Sequence, residues 1–171
     1  MDFKSIITTT NDWPRSGIIT YDIAPILRDA EMFRALIDVL VEPYKDIQLD
    51  SIVGIESRGF IVAAAMADRL GVGLTIIRKK GKIPPPVLSQ DYSYEYSSQV
   101  IEIAENALLS GQRVLLVDDI LATGGTVAAA IKLLKKMKVE IIGTAFVIEM
   151  EGMAGRIRLQ NLPIHAIVKY T

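Results

Sequence analysis

Twice in this chain a short, unbroken apolar run passes through a tight polar turn into a segment with helical spacing. The first time it is Ile52 to Ile55, then Glu56-Ser57-Arg58-Gly59, then Phe60 to Leu70; the second time it is Val114 to Val117, then Asp118 to Gly125, then Val127, Ile131, Leu134 and Met137. A run with no polar residue is tolerable as a strand only if both of its faces are covered, and the helices that follow are the cover. Further apolar runs stand at Leu74 to Ile77, Ile141 to Ile148 and Ile164 to Val168. This alternation predicts an α/β fold, a parallel sheet with helices on both faces.

The second junction reads VLLVDDILATGGT, Val114 to Thr126. In open α/β sheets the strand exit is the side on which ligands bind, and the acid pair is expected there. A helix start leaves backbone N–H groups unpaired and carries a partial positive charge, so a turn of small residues can wrap a phosphate in donors. Thr123 and Thr126 add hydroxyls. Carboxylates facing that phosphate would repel it, so Asp118 and Asp119 are expected to turn to sugar hydroxyls or to a hydrated divalent cation. The stretch points to a sugar phosphate held at both ends. It is not a P-loop, since no lysine follows the glycine pair, and not a dinucleotide fingerprint, since Gly124 and Gly125 are adjacent. On the local pattern alone, a plain polar strand-to-helix turn accounts for DDxxxxGG equally well.

At the first junction Arg58 sits at a strand end, where pairing with a carboxylate and binding an anion are equally open. Gly59 favours close approach of a ligand or of backbone. The third strand ends in Arg78-Lys79-Lys80-Gly81-Lys82, followed by Ile83-Pro84-Pro85-Pro86. Such a charge run is ordinarily a solvated face, but a stiff cationic strand end also suits a polyphosphate.

Composition narrows the classes. At 171 residues, half hydrophobic and 23% charged, the chain is expected to be one globular domain, not a disordered one. A net charge of −1 disfavours a nucleic-acid or anionic-membrane partner. Without cysteine there is neither a disulfide nor a thiolate metal site. No secretion signal is visible at the start, and the longest apolar run, Phe60 to Ala67, is too short to span a bilayer. A cytoplasmic location is expected.

Elsewhere, residues 1 to 28 read as an arm holding a short strand, with Trp13 as a packed anchor. Asp29 is a plausible cap for a helix through Phe33, Leu36, Ile37 and Leu40, closed by Pro43. Tyr92, Tyr94 and Tyr96 alternate as on an exposed ribbon. Such a ribbon could lie over a site as a lid, with Glu95 as proton acceptor. Glu102 to Leu109 reads as helix, Lys132 to Lys138 as a solvated face, Glu151 to Leu162 as a loop with a short helix, and His165 as structural.

The pieces GIITYDIAPIL, IESRGF, IRKKGKIP, YSYEY and VLLVDDILATGGT, in this order and spacing, closely resemble the adenine branch of the type I phosphoribosyltransferases, from Gly17 to Tyr170. The resemblance implies a single domain over 1–171, with the arm at about 1–28 and a small hood or lid at about 83–99. It implies Mg²⁺-dependent transfer of ribose 5-phosphate from phosphoribosyl pyrophosphate to adenine, giving AMP and pyrophosphate, in a homodimer. Ala122, Thr123, Gly124, Gly125 and Thr126 would hold the 5-phosphate, and Asp118 and Asp119 the ribose hydroxyls. Arg58, Arg78, Lys79 and Lys82 would hold pyrophosphate, part of that set reaching in from a second subunit. Glu95 and Tyr96 would lie on the lid, Glu95 handling the adenine proton, with Ile19 and Tyr21 toward the base. The implied catalytic set is Glu95, Tyr96 and Arg58. Mg²⁺ would be held by pyrophosphate and water, near Asp118, without a ligand set of its own.

The family's Phe-Arg-Asp is here Thr20-Tyr21-Asp22, which bears on base specificity. Its lysine-leucine-proline-glycine is Lys82-Ile83-Pro84-Pro85, and Ser97 stands where a glycine follows the lid motif. Two other readings are a hypoxanthine or guanine transferase and a regulator that senses phosphoribosyl pyrophosphate without catalysis.

Overall fold

The computed structural model describes every residue except 95, 96 and 160, and at 93, 94, 97 and 98 the backbone alone. A small antiparallel pair, β1 (Thr8–Asn11) and β2 (Ile19–Asp22), leads into helices α1 (Ala24–Arg28) and α2 (Ala30–Val41). The main chain of strands and helices then runs β3 (Ser51–Ile55), α3 (Gly59–Leu70), β4 (Gly73–Lys79), β5 (Val87–Tyr94), β6 (Ser97–Ala104), β7 (Arg113–Leu121), α4 (Gly125–Lys136), β8 (Glu140–Met150), α5 (Gly155–Arg158) and β9 (Ile164–Tyr170). The order in the main sheet is β5-β6-β4-β3-β7-β8-β9.

Strands β4, β3, β7, β8 and β9 are mutually parallel. Along β7 the side chains alternate between two separate cores. Leu115 and Val117 join Val62 and Met66 of α3 on one face, while Val114 and Leu116 join Ala130 and Leu134 of α4 on the other. Burying both faces is what makes an all-apolar run stable as a strand. The connection from β3 goes one way in the sheet, to β4, and the connection into β7 lands on the other side of β3. The C-terminal ends of β3 and β7 therefore flank a crevice at the topological switch point.

Local signals explain most boundaries. Asp29 caps α2 by accepting from the N–H groups of Glu31 and Met32 at 2.9 and 3.0 Å. Leu36, Ile37, Leu40 and Val41 form its buried stripe.

Two expectations are corrected. Residues 102–109 are not helix: β6 extends to Ala104, and a turn follows. Pairing with β5 decides this, and it buries Glu102, whose carboxylate accepts from the Gly81 N–H at 2.8 Å. The expected parallel sheet is present in β4, β3, β7, β8 and β9, and β6 and β5 extend it as an antiparallel edge. Trp13 is no packed anchor, since it is 59% exposed. What is fixed there is backbone: its N–H donates to the Ile18 carbonyl at 3.2 Å and its carbonyl accepts from the Thr20 hydroxyl at 2.7 Å. Among the described residues, no helix is long and apolar enough to cross a membrane.

Candidate active site

Strand β7 does not stop at Val117. It runs on through the acid pair to Leu121, paired with β8 at Asp118–Phe146, Ile120–Ile148 and Leu121–Glu149. Period-two alternation therefore separates the two carboxylates. Asp118, Ile120 and Ala122 line a small cradle of about 60 Å³, closed by Thr123, Gly124, Gly125, Thr126 and Val127. Asp119 does not line it. Its Oδ2 lies 2.6 Å from Nε of Arg58, which stands at the end of β3.

The two acids thus stand on opposite faces of β7, Asp118 beside the cradle and Asp119 toward Arg58. Asp118 is half-buried on the cradle wall. Burial, then the charge of Asp119, push its carboxyl well above the ordinary carboxylate range, against the Asp119 N–H that donates to its Oδ1 at 2.9 Å and the charge of Arg58. Gly59 has a matching reason: a Cβ there would stand 2.6 Å from Oδ1 of Asp118 and 3.1 Å from its Cα. The close approach that this glycine permits is between the start of α3 and strand β7.

The cradle is made of main chain at the start of a twelve-residue helix. Gly124 sits at φ +75°, and a Cβ there would stand 2.8 Å from the Gly155 carbonyl oxygen. From the other side, a Cβ on Gly155 would run into the Ala122 carbonyl oxygen. The start of α5 is thus pressed directly on the back of the turn. Arg156 holds it there, donating through Nε and Nη2 to the two oxygens of Glu149 at 2.7 and 2.6 Å. Those hydrogen bonds lower the Glu149 pKa against burial. Sequence reasoning missed Glu149, Gly155 and Arg156; nothing local marks a buffer of loops that meet only across the sheet.

The basic strand end is gathered by another residue that sequence reasoning passed over, Glu56. Its Oε1 accepts from Lys82 Nζ at 2.9 Å, its Oε2 accepts from the Lys79 N–H at 2.9 Å, and Nε of Arg78 lies 3.4 Å from Oε2. Burial pushes the Glu56 carboxyl up, but hydrogen bonds from Lys82, Lys79 and Arg78 outweigh it and bring it down to about 2. Of the four expected cations, then, Arg58, Arg78 and Lys82 each meet a carboxylate, while Lys79 contributes its N–H. Two buried side-chain atoms among the described residues have no hydrogen bond, Nε of Arg78 and Oδ2 of Asp119. Both are engaged in ion pairs instead, Asp119 Oδ2 with Arg58 and Arg78 Nε with Glu56.

Ile19 is 52% exposed on β2 and Tyr21 packs its ring 4.3 Å from that of Tyr170; neither lines the cradle. Glu95 and Tyr96 lie outside the described residues. His165 is on β9 with Nε2 3.4 Å from the Val39 carbonyl. Among the described residues, no three His, Cys, Asp or Glu side chains converge as a metal site.

A glycine cradle at a helix start, acids on the strand beside it and cations across the switch point together invite comparison with known proteins. The phosphoribosyl transferase domain model matches residues 24–166. The adenine phosphoribosyltransferase of Acaryochloris marina is 44% identical over 170 residues, spanning 99% of this chain and 100% of the relative. The chain belongs to the phosphoribosyltransferase family, in its adenine branch. The crystal structure of the Rhodothermus marinus adenine phosphoribosyltransferase superposes with a TM-score of 0.94 at 41% identity, covering 98% of this chain and 96% of that one. The Saccharomyces cerevisiae enzyme, solved with an imino-altritol bisphosphate and adenine, gives 0.91 at 36% identity, covering 97% and 96%.

Proposed function

We propose that this chain catalyses a purine-salvage reaction, the Mg²⁺-dependent transfer of ribose 5-phosphate from phosphoribosyl pyrophosphate to adenine, giving AMP and pyrophosphate. The observation that carries this is the main-chain cradle at the start of α4, facing the cations of the β3 and β4 ends across the switch point. A ring nitrogen of adenine forms the new bond to the anomeric carbon as the bond to pyrophosphate breaks. Positive charge develops on the sugar while the leaving group carries away negative charge, so acids beside the ribose and cations around pyrophosphate favour both changes.

In this reading Ala122 to Thr126 hold the 5-phosphate and Asp118 and Asp119 the ribose hydroxyls. Arg58, Arg78, Lys79 and Lys82 take the pyrophosphate. To do so Arg58 exchanges Asp119 for the ligand, which frees that carboxylate for the sugar. Glu95 receives the adenine proton, a contribution on the order of 10² to 10⁴, with Tyr96 beside it and Ile19 and Tyr21 toward the base. Mg²⁺ fits the adjacent carboxylates of Asp118, on the cradle wall, and Asp119, facing Arg58. When bound, held by pyrophosphate and water near Asp118, the ion would supply charge neutralisation to the leaving group.

The enzyme is proposed to be cytoplasmic and to act as a homodimer. The support for a second copy is the face of β4 where Leu74 is 44% and Ile76 39% exposed, although parallel strands ordinarily have both faces covered. That face adjoins Arg78 and Lys82 along one groove. The test is to incubate the protein with phosphoribosyl pyrophosphate, Mg²⁺ and each purine base in turn. Adenine is expected to be converted to AMP in preference to hypoxanthine and guanine. Preference for an oxopurine, or no conversion of any base, would overturn the reading.

A further inference from the structure

The cradle has a charge imbalance. Its lining contains one carboxylate, Asp118, and no cationic side chain. A phosphate monoester near neutrality carries about −1.5 to −2, and a helix start offers the equivalent of only about +0.5. Of the cations across the crevice, Arg58 already faces Asp119, and Arg78 and Lys82 face Glu56. A further positive group is needed on the cradle side.

Arg158, the last residue of α5, meets that need. Its Nη1 lies 3.6 Å from the point where a Cβ on Gly125 would stand, and the same point is 3.8 Å from the Thr123 hydroxyl. Because Cα–Cβ bonds in a helix lean toward its N-terminus and Gly125 is the first residue of α4, that point leans toward the Thr123-Gly124 turn that lines the cradle. Two residues earlier Arg156 is locked on Glu149, whereas exposed Arg158 has no hydrogen bond or ion pair among the described residues. Its backbone is delivered rigidly, by the packing of Gly155 on the cradle turn and by the Arg156–Glu149 pair.

We infer that Arg158 is the cation of the 5-phosphate site, its guanidinium donating to a non-bridging phosphate oxygen while the N–H groups of the α4 start hold the others. The inference rests on the reading under Proposed function and deepens it. Arg158 selects ribose carrying a 5-phosphate and leaves the pyrophosphate end alone. The same arginine edges a cleft of about 500 Å³ on the flank of α4, with Lys132 and Lys135. A guanidinium that stayed in that cleft would leave phosphate binding untouched.

The experiment compares wild type, Arg158→Gln and Arg158→Lys in the full chain, by direct titration with ribose 5-phosphate and separately with pyrophosphate, alongside steady-state kinetics. Arg158→Gln is expected to raise the Kd for ribose 5-phosphate and the KM for phosphoribosyl pyrophosphate by about ten- to a hundredfold, the range a hydrogen bond to a charged group carries. The Kd for pyrophosphate and the KM for adenine should stay within about twofold. Arg158→Lys should recover part of the loss, keeping the charge without the planar fork. A folded Arg158→Gln with unchanged ribose 5-phosphate affinity overturns the inference, as does an equal loss of pyrophosphate affinity, which would mark general damage. Should Arg158→Gln fail to fold, Arg158→Lys carries the test: a several-fold weaker ribose 5-phosphate complex supports the role and an unchanged one overturns it. Wild type that binds ribose 5-phosphate but transfers to no base would remove the proposed activity without touching Arg158.

Discussion

In the proposed reading the two ends of the site host anions in opposite ways. The cradle uses main chain. Its shape is set by contacts with no room for a methyl group at Gly124 or Gly155, so the donors stand in place before any ligand arrives. The other end uses long side chains already engaged with carboxylates of the protein. The acids there are the buried partners, Glu56 and Asp119 side chains being 8% and 9% exposed, while Arg78, Arg58 and Lys82 are 32%, 45% and 50% exposed. Fixed acids thus position mobile cations, and the cations keep their outer surface for a ligand. A main-chain host gains nearly all of its interaction energy on binding, whereas a side-chain host must trade one anion for another and keeps only the difference.

Filling the contact behind the cradle should break this contrast most violently. Gly155→Ala sets a methyl against the Ala122 carbonyl and 3.1 Å from Leu121 Cδ1, so the turn or α5 must move. Transfer is expected to fall by at least about a hundredfold, the effect of misplacing a bound group by about 1 Å. Stability should fall by about 1–3 kcal/mol from overpacking. Kinetics near wild type would mean that the turn yields and is not held by its neighbours.

Asp119→Asn probes the exchanging end. The side chain keeps its shape but no longer attracts Arg58, which becomes free for a ligand. The expected result is a normally folded protein whose kcat falls on the order of a hundredfold, while its affinity for pyrophosphate holds or improves. An active variant would detach Asp119 from the ribose. Weaker pyrophosphate binding would show that the acid holds Arg58 in its working position, not in reserve.

What the sequence disclosed follows the same divide. The cradle was legible because a main-chain site is written in consecutive residues: an apolar strand, small residues, a helical stripe from Val127 to Met137. Helices α2 and α3 were legible for the same reason, through the Asp29 cap and the apolar spacing. Side-chain relations across the sheet were not. Glu56 appeared only as a turn residue, and nothing nearby signals that Lys82, Arg78 and the Lys79 N–H converge on it. Glu149 and Arg156 sit either side of a loop, and their pairing depends on where β8 ends. Residues 102–109 were misread because the period of Ile101, Ile103 and buried Glu102 is set by pairing with β5, a partner a local window does not contain. The acid pair was placed beyond the strand because polar residues usually end an apolar run, whereas here β8 continues alongside and carries the ladder to Leu121.

The smallest expected effect concerns acid stability, and it tests whether Glu56 acts by charge. Its carboxyl is held at about 2 in the folded protein against an ordinary 4.5. A depressed folded value means that the unfolded chain takes up the proton first as pH falls, so the unfolded state binds more protons within that window. The contribution is therefore complete above about 4.5, erodes between about 4.5 and 2, and is absent below. Glu56→Gln keeps the shape and removes the charge. Its Tm should lie below that of wild type near neutrality, and the gap should narrow as pH is lowered through the window, with the other acids cancelling in the difference. Added salt should narrow it as well, because Arg78 and Lys82 are partly solvated and screened. A gap that stays constant with pH and salt would make Glu56 a packing residue, and the exchange of anions would then begin and end with Arg58 and Asp119.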